Sequence, residues 1–221
     1  MTGNVPVASA ALAGVPAGVQ AQGIWAGRRQ LFVRFAGEAE TATMYTSTAL
    51  VREIERQLGR SKFHSMSIGG RDALANVPFL LAAFAASKPS IPVMLDTDGQ
   101  RPSALGDLVA QLALVQVVIE FGGSDAAITH AVDTLRVAAT AKCAHSLVLC
   151  PKDDTTDSQM LRIIEQAHSS STGVQVVIHP TISAGDSPML DRRWSTLLEQ
   201  AAVMHEDCRI AVRIPAPAGL R

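Results

Sequence analysis

The stretch Val115–Cys150, VQVVIEFGGSDAAITHAVDTLRVAATAKCAHSLVLC, decides the reading of the fold. It opens on the β-branched run VQVVIEFG and passes through a pair of glycines. AITHAVDTLRVAATAK follows, with apolar residues recurring every three or four positions, and a second apolar run, HSLVLC, closes the stretch. Short apolar runs bounded by turn residues read as buried strands, and the periodic segment between them as an amphipathic helix. Two strands joined through a helix of this length form a right-handed βαβ unit with the strands parallel.

The same alternation extends outward in both directions. LFVRF, FHSMSIG, IPVMLDT, VQVVIHP and CRIAVRIP read as further strands. TALVREIERQLGR, NVPFLLAAFAASK, ALGDLVAQLA, DSQMLRIIEQAHSS and DRRWSTLLEQAAVMH read as helices. In the first of these Leu50, Val51, Ile54 and Leu58 form one apolar stripe, and Thr48 is the expected N-cap. The apolar strands imply a mostly parallel sheet covered on both faces. About six or seven such units fit either a doubly wound sheet or an incomplete (β/α) barrel, and periodicity does not choose between them. In both, ligands sit beyond the C-terminal ends of the strands. The expected site rim is therefore AGEAETATMYTS, GGRDAL, DTDGQRP, EFGGSD and HPTISAGDSP.

At 221 residues, 48% of them hydrophobic, the chain suits one buried core. A single domain is expected over residues 19–221, preceded by a flexible arm, MTGNVPVASAALAGVPAG, over 1–18. The arm has no basic stretch before its apolar residues, so a signal peptide is not expected. With a net charge of -1 and 4% aromatic residues, neither an electrostatic footprint nor stacking platforms for nucleic acid are expected. No apolar run approaches the roughly 18 residues of a membrane span. Three widely spaced cysteines, Cys143, Cys150 and Cys208, offer no disulfide framework and suit a reducing cytoplasm.

Several residues could carry chemistry. Gly69 and Gly70 follow a strand, where they form either an anion cradle or a tight turn. Asp96 and Asp98 read as metal ligands or as an Asp-Gly turn. His179 stands at the site end of a strand, where a general base would stand. Glu38 and Glu40 form either an acid/base pair or a solvated one. Glu120, on an otherwise apolar strand, should be paired or point into a cavity, with Arg71 or the Arg28–Arg29 pair as its expected partner. Zinc-type histidine spacing, a nucleophile elbow and a P-loop are all absent from the sequence.

Read together, VQAQGIWAGRRQLFVRFAG, SMSIGGRDAL, VMLDTDGQRP and the final VRIPAPAGLR resemble the 7-carboxy-7-deazaguanine synthase family, radical S-adenosylmethionine (SAM) enzymes of the queuosine pathway. The resemblance runs from about residue 19 to the end. It implies an incomplete (β/α) barrel of the radical SAM type, with a [4Fe-4S] cluster, SAM and Mg²⁺ at its mouth. In that family a CxxxCxxC loop holds the cluster. Aligned on RFAG, the three cysteine positions here are Glu38, Ala42 and Tyr45, none of them a thiol. Arg71 replaces the glutamate that would hold the SAM amino group, and an arginine there repels it. Gln22 replaces a substrate-contacting glutamate, Thr46 and Ser47 stand near the magnesium contact, and PAPA at 215–218 replaces a pocket-closing Pro-Gln-x-His.

The resemblance thus implies a chain that keeps the fold and loses the reaction. No cofactor is expected. The expected function is a non-catalytic partner or regulatory subunit, either a homodimer or a heterodimer with an active paralogue or another enzyme. The alternative is a non-radical enzyme or a binder of an anionic or purine/pterin-like molecule at the barrel mouth, with retained synthase activity as a third possibility. Candidate pocket residues are Gln22, Arg28, Arg29, Ser47, Gly69, Gly70, Arg71, Asp96, Glu120 and His179.

Overall fold

The structure, a computed structural model, describes residues 8–122, 124–180 and 192–212. Three strands, β1 (Ser9–Gly14), β2 (Ala17–Val19) and β3 (Arg29–Phe35), open the chain, followed by β4 (Thr43–Thr46) and α1 (Ser47–Arg60). Strands and helices then alternate: β5 (Ser65–Gly70), α2 (Val77–Ala86), β6 (Val93–Thr97), α3 (Pro102–Leu108), β7 (Leu114–Glu120), α4 (Asp125–Thr140), β8 (Ala144–Cys150), α5 (Asp157–Ser170), β9 (Gln175–Ile178), α6 (Arg192–Met204) and β10 (Cys208–Ile210).

The strands form one sheet in the order β10-β9-β8-β7-β6-β5-β3-β1-β4, with β2 pairing β3 off this path. From β3 to β10 every neighbouring pair is parallel. This run keeps chain order without a reversal, and each helix packs on the next, from α1 through α6. Helices that all touch their successors occupy one layer, so the sheet is singly wound. A doubly wound sheet would place them on both faces.

Strand alternation explains how both faces are buried. Leu31, Val33 and Phe35 of β3, Met66 and Ile68 of β5, Val115, Val117 and Ile119 of β7, and Leu147 and Leu149 of β8 belong to the hydrophobic core shared with the helices. The alternate residues face the other way, and many are polar. Gln30, Ser65, Ser67, Gln116 and Ser146 are all fully or almost fully buried. Both faces are covered, as expected, and the inner face mixes these polar residues with buried Met94, Val148 and Val177.

What covers it comes from the N-terminal region. The arm expected over 1–18 is, from Ser9 on, structured: β1 pairs with β3 and β4, and β2 with β3, both antiparallel. The β2–β3 connection, Gln20 to Arg28, lies over the inner face. It is closed by Gln20 N–H to the Arg28 carbonyl and Gly27 N–H to the Gln20 carbonyl, each at 2.9 Å.

A second correction concerns the loop after β3. Residues 36–47 are not all loop: Thr43–Thr46 pair with β1, setting Tyr45 opposite Ala10. The extra strand moves the helix start, so Thr46, not Thr48, is the N-cap of α1, accepting from Ala49 N–H at 3.1 Å. The apolar stripe is as expected, with Leu50 and Ile54 buried and Val51 and Leu58 packed against the core.

Candidate functional site

The C-terminal ends of β5, β6 and β7 and the loops beyond them enclose a cleft of about 1120 Å³. Gln22, Gly70, Arg71, Asp96 and Glu120, all singled out from sequence, line it. Asp72, Asp98, Arg101, Asp125 and Arg162 line it too. Asp125 closes the expected rim segment EFGGSD, whereas Arg162 comes from α5, outside every expected rim loop.

Local geometry explains the floor. At Gly70 the chain turns with φ +93°, and a Cβ there would overlap the Phe35 carbonyl oxygen of the adjoining strand. Arg71 N–H donates to that same carbonyl at 3.1 Å. The Gly-Gly pair is thus a close strand crossing, and the amide beyond it is used within the sheet. Gly69 packs beside the Asp96 backbone. The DTDG segment is likewise a turn: Asp98 accepts from Gln100 N–H and Thr97 Oγ1 from Gly99 N–H, both at 3.1 Å. Thr134 on α4 then holds the Gly99 carbonyl at 2.8 Å. Among the described residues no group of three His, Cys, Asp or Glu could hold a metal ion.

The cleft's arginines are engaged in ion pairs. Arg71 Nη2 lies 2.6 Å from Glu38, Arg101 grips Asp72 through two 2.6 Å hydrogen bonds, and Arg162 lies 3.3 Å from Asp125. The Arg101 hydrogen bond holds the Asp72 carboxyl below its ordinary value, against a smaller opposing effect of burial. Of the lining residues that carry charge, five are carboxylates and three are guanidinium groups. The wall is therefore net acidic, which disfavours an anion and suits a neutral or cationic molecule rich in hydrogen-bond donors.

Other expected residues lie elsewhere. Arg29 begins β3, at the strand end away from the cleft, with its guanidinium 4.9 Å from the centre of the Phe63 ring; Arg28, beside it, is exposed. The ion pair of Arg71 is with Glu38. Glu40, expected to be solvated or catalytic, instead caps its own turn, binding Arg34 at 2.7 Å and Gly37 N–H at 2.9 Å. Ser47 opens α1 and donates its N–H to Ala8. Ala42 is exposed, and Tyr45 sits within a strand. The 215–218 segment and most of HPTISAGDSP lie outside the described residues.

His179 departs furthest from expectation. It is 3% exposed; its Nε2 accepts from Gly23 N–H at 2.9 Å, and its Nδ1 donates to the Ala211 carbonyl at 2.7 Å. An amide donor on one nitrogen and a carbonyl acceptor on the other fix the neutral Nδ1–H tautomer. His179 therefore ties the 20–28 turn to the segment after β10, in place of the expected general base.

No protein-family model matches the sequence, and no curated protein matches it. Among solved structures the chain is similar to 3-keto-D-glucoside 4-epimerase from E. coli in its apo form, at 14% identity over 76% of this chain and 88% of that one, with a TM-score of 0.36.

Proposed function

We propose that this chain is a non-catalytic binding protein on a barrel of the radical SAM type, whose mouth takes a neutral or cationic, donor-rich small molecule. The observation that carries the reading is the Glu38–Arg71 ion pair. By the sequence resemblance, Glu38 stands at a cluster-cysteine position and Arg71 at the SAM amino contact. Side chains bound to each other there leave neither a thiolate nor a carboxylate for the family's cofactors. The net acidic wall, with Asp96 and Glu120 on it, supports the ligand class and argues against the anionic ligand expected from sequence.

The partner-subunit reading has one feature of its own. Strand β4 is an edge of the sheet, and Met44 on it is 66% exposed. Open edges invite pairing with another chain. Light scattering of the purified chain, alone and mixed with an active synthase, tests this, and a lone monomer in both cases rejects it.

The binding reading is tested by thermal shift with adenosine and adenosine monophosphate at equal concentrations. Stabilisation by adenosine exceeding that by the phosphorylated form supports the reading. The reverse order contradicts it.

A further inference from the structure

Beneath the cleft lies a buried polar layer that the proposed binding reading does not use. Gln116 is completely buried, yet among the described residues neither its amide nitrogen nor its amide oxygen has a hydrogen-bond partner. Ser146, its register neighbour on β8, is also fully buried, with a hydroxyl that has no partner among the described residues. Unsatisfied buried groups are costly and rare in folded proteins. Here an unpartnered donor and acceptor share one side chain, with a hydroxyl on the adjacent strand.

Their position gives this meaning. Gln116, Val118 and Glu120 alternate onto one face of β7, and the latter two line the cleft. The cleft wall therefore continues directly down to Gln116. Gly23, at the heart of the 20–28 turn, is what intervenes: its φ is +77°, and a Cβ there would overlap the Gln116 amide oxygen. No residue from Gln20 to Arg28 belongs to the hydrophobic core. The turn is held by Gly23 to His179, by its own backbone hydrogen bonds, by Gln20 against Met94 Sδ and by an edge contact of the Trp25 ring with His64. Segments held this way open at lower free energy than the core they rest on.

We propose that the Gln20–Arg28 turn is a displaceable plug, and that Gln116 and Ser146 beneath it form a deep recognition site for a neutral planar molecule with adjacent hydrogen-bond donor and acceptor groups. A side-chain amide pairs two-fold with such an edge, as glutamine does with the N6/N7 edge of adenine. The molecule class is thus that of a free purine base. This rests on the cleft being a binding site, since the cleft is the way in.

The test titrates adenine into the full chain by calorimetry, comparing wild type with Gly23→Ala, Gln116→Met and Glu120→Gln, each checked for fold by circular dichroism. Gly23→Ala sets a methyl against the Gln116 amide at a positive φ, which disfavours the seated turn, so it should bind at least about fivefold tighter than wild type, which must first open. Gln116→Met should weaken binding at least about tenfold. Binding weakened by Glu120→Gln but not by Gln116→Met overturns the plug while leaving the cleft reading intact. Binding by no variant and not by wild type sinks both. Amide exchange on wild type decides even if Gly23→Ala does not fold. Gly23 and Gly27 amides exchanging at least about tenfold faster than those of β7 support the plug, and equal protection overturns it.

Discussion

Arg71 Nη2 lies 2.6 Å from Glu38 Oε1, joining the turn after β3 to the end of β5. Both side chains are well exposed, so the pair adds little to stability. Its importance is positional, because it occupies the place where the sequence resemblance would put cluster and SAM. The three cysteines do not offer a substitute. Cys143 precedes β8 and Cys150 ends it, so they stand roughly 23 Å apart along an extended strand. Among the described residues none of the three forms a disulfide. Burial raises the Cys143 thiol, and burial with the nearby Asp207 charge raises Cys208 to about 11. Anaerobic iron-sulfur reconstitution should therefore leave no stoichiometric cluster in the spectrum or iron count. Alkylation of Cys143 and Cys208 at pH 8 should be at least about tenfold slower in the folded chain than in urea.

Gly70 is the tightest constraint on the cleft floor. Its positive φ and its contact with the Phe35 carbonyl are both incompatible with a side chain. Gly70→Ala should cost about 2–4 kcal/mol in urea unfolding. A loss below about 1 kcal/mol would mean that the β3–β5 crossing relaxes easily.

His179 links the plug to the C-terminal side of the sheet. His179→Ala removes the acceptor for Gly23 N–H and the donor to Ala211. Leaving such buried groups unsatisfied should cost about 1–3 kcal/mol. Gly23 amide exchange should accelerate along with the stability loss. Unchanged exchange at Gly23 would show that the bond does not hold the turn.

Asp72 gives the rim an acid-sensitive contact. The Arg101 hydrogen bond lowers its carboxyl pKa in the folded chain. A carboxylate with a depressed folded pKa contributes stability that is fully present above the ordinary value of about 3.9 and is lost as pH falls through the folded value. The side chain is 39% exposed, so the contribution is at most about 0.5 kcal/mol. Asp72→Asn should lower stability by that amount at pH 6 and by less below pH 3. Asparagine tolerates the left-handed backbone at this position (φ 49°), which isolates the charge effect.

Much of the fold was legible because helix and strand periods are local. The βαβ alternation, the Leu50–Ile54 stripe and the rim location of Arg71, Asp96 and Glu120 all follow from spacing. What was not legible depends on contacts distant in sequence. Strand order alone separates singly from doubly wound sheets, and it is fixed by pairing across the whole chain. The N-terminal segment looked unstructured because its small residues carry a weak strand signal, yet β1 finds both β3 and β4. Gln116 was hidden inside an apolar run, although an uncharged polar residue at an alternating position was a usable sign of an inner face unlike the outer one. His179 sat at the expected strand end, but its partners, 156 and 32 residues away in sequence, decide its role.

The most direct test of the account is an equilibrium titration of the full chain with adenosine and with adenosine monophosphate, repeated on Glu120→Gln. The proposed binding at a net acidic cleft predicts saturable adenosine binding that is tighter than that of the phosphorylated form, and a loss of about tenfold, roughly 1.4 kcal/mol, in the variant. Preferential binding of the phosphorylated form, or affinity untouched by Glu120→Gln, would contradict it.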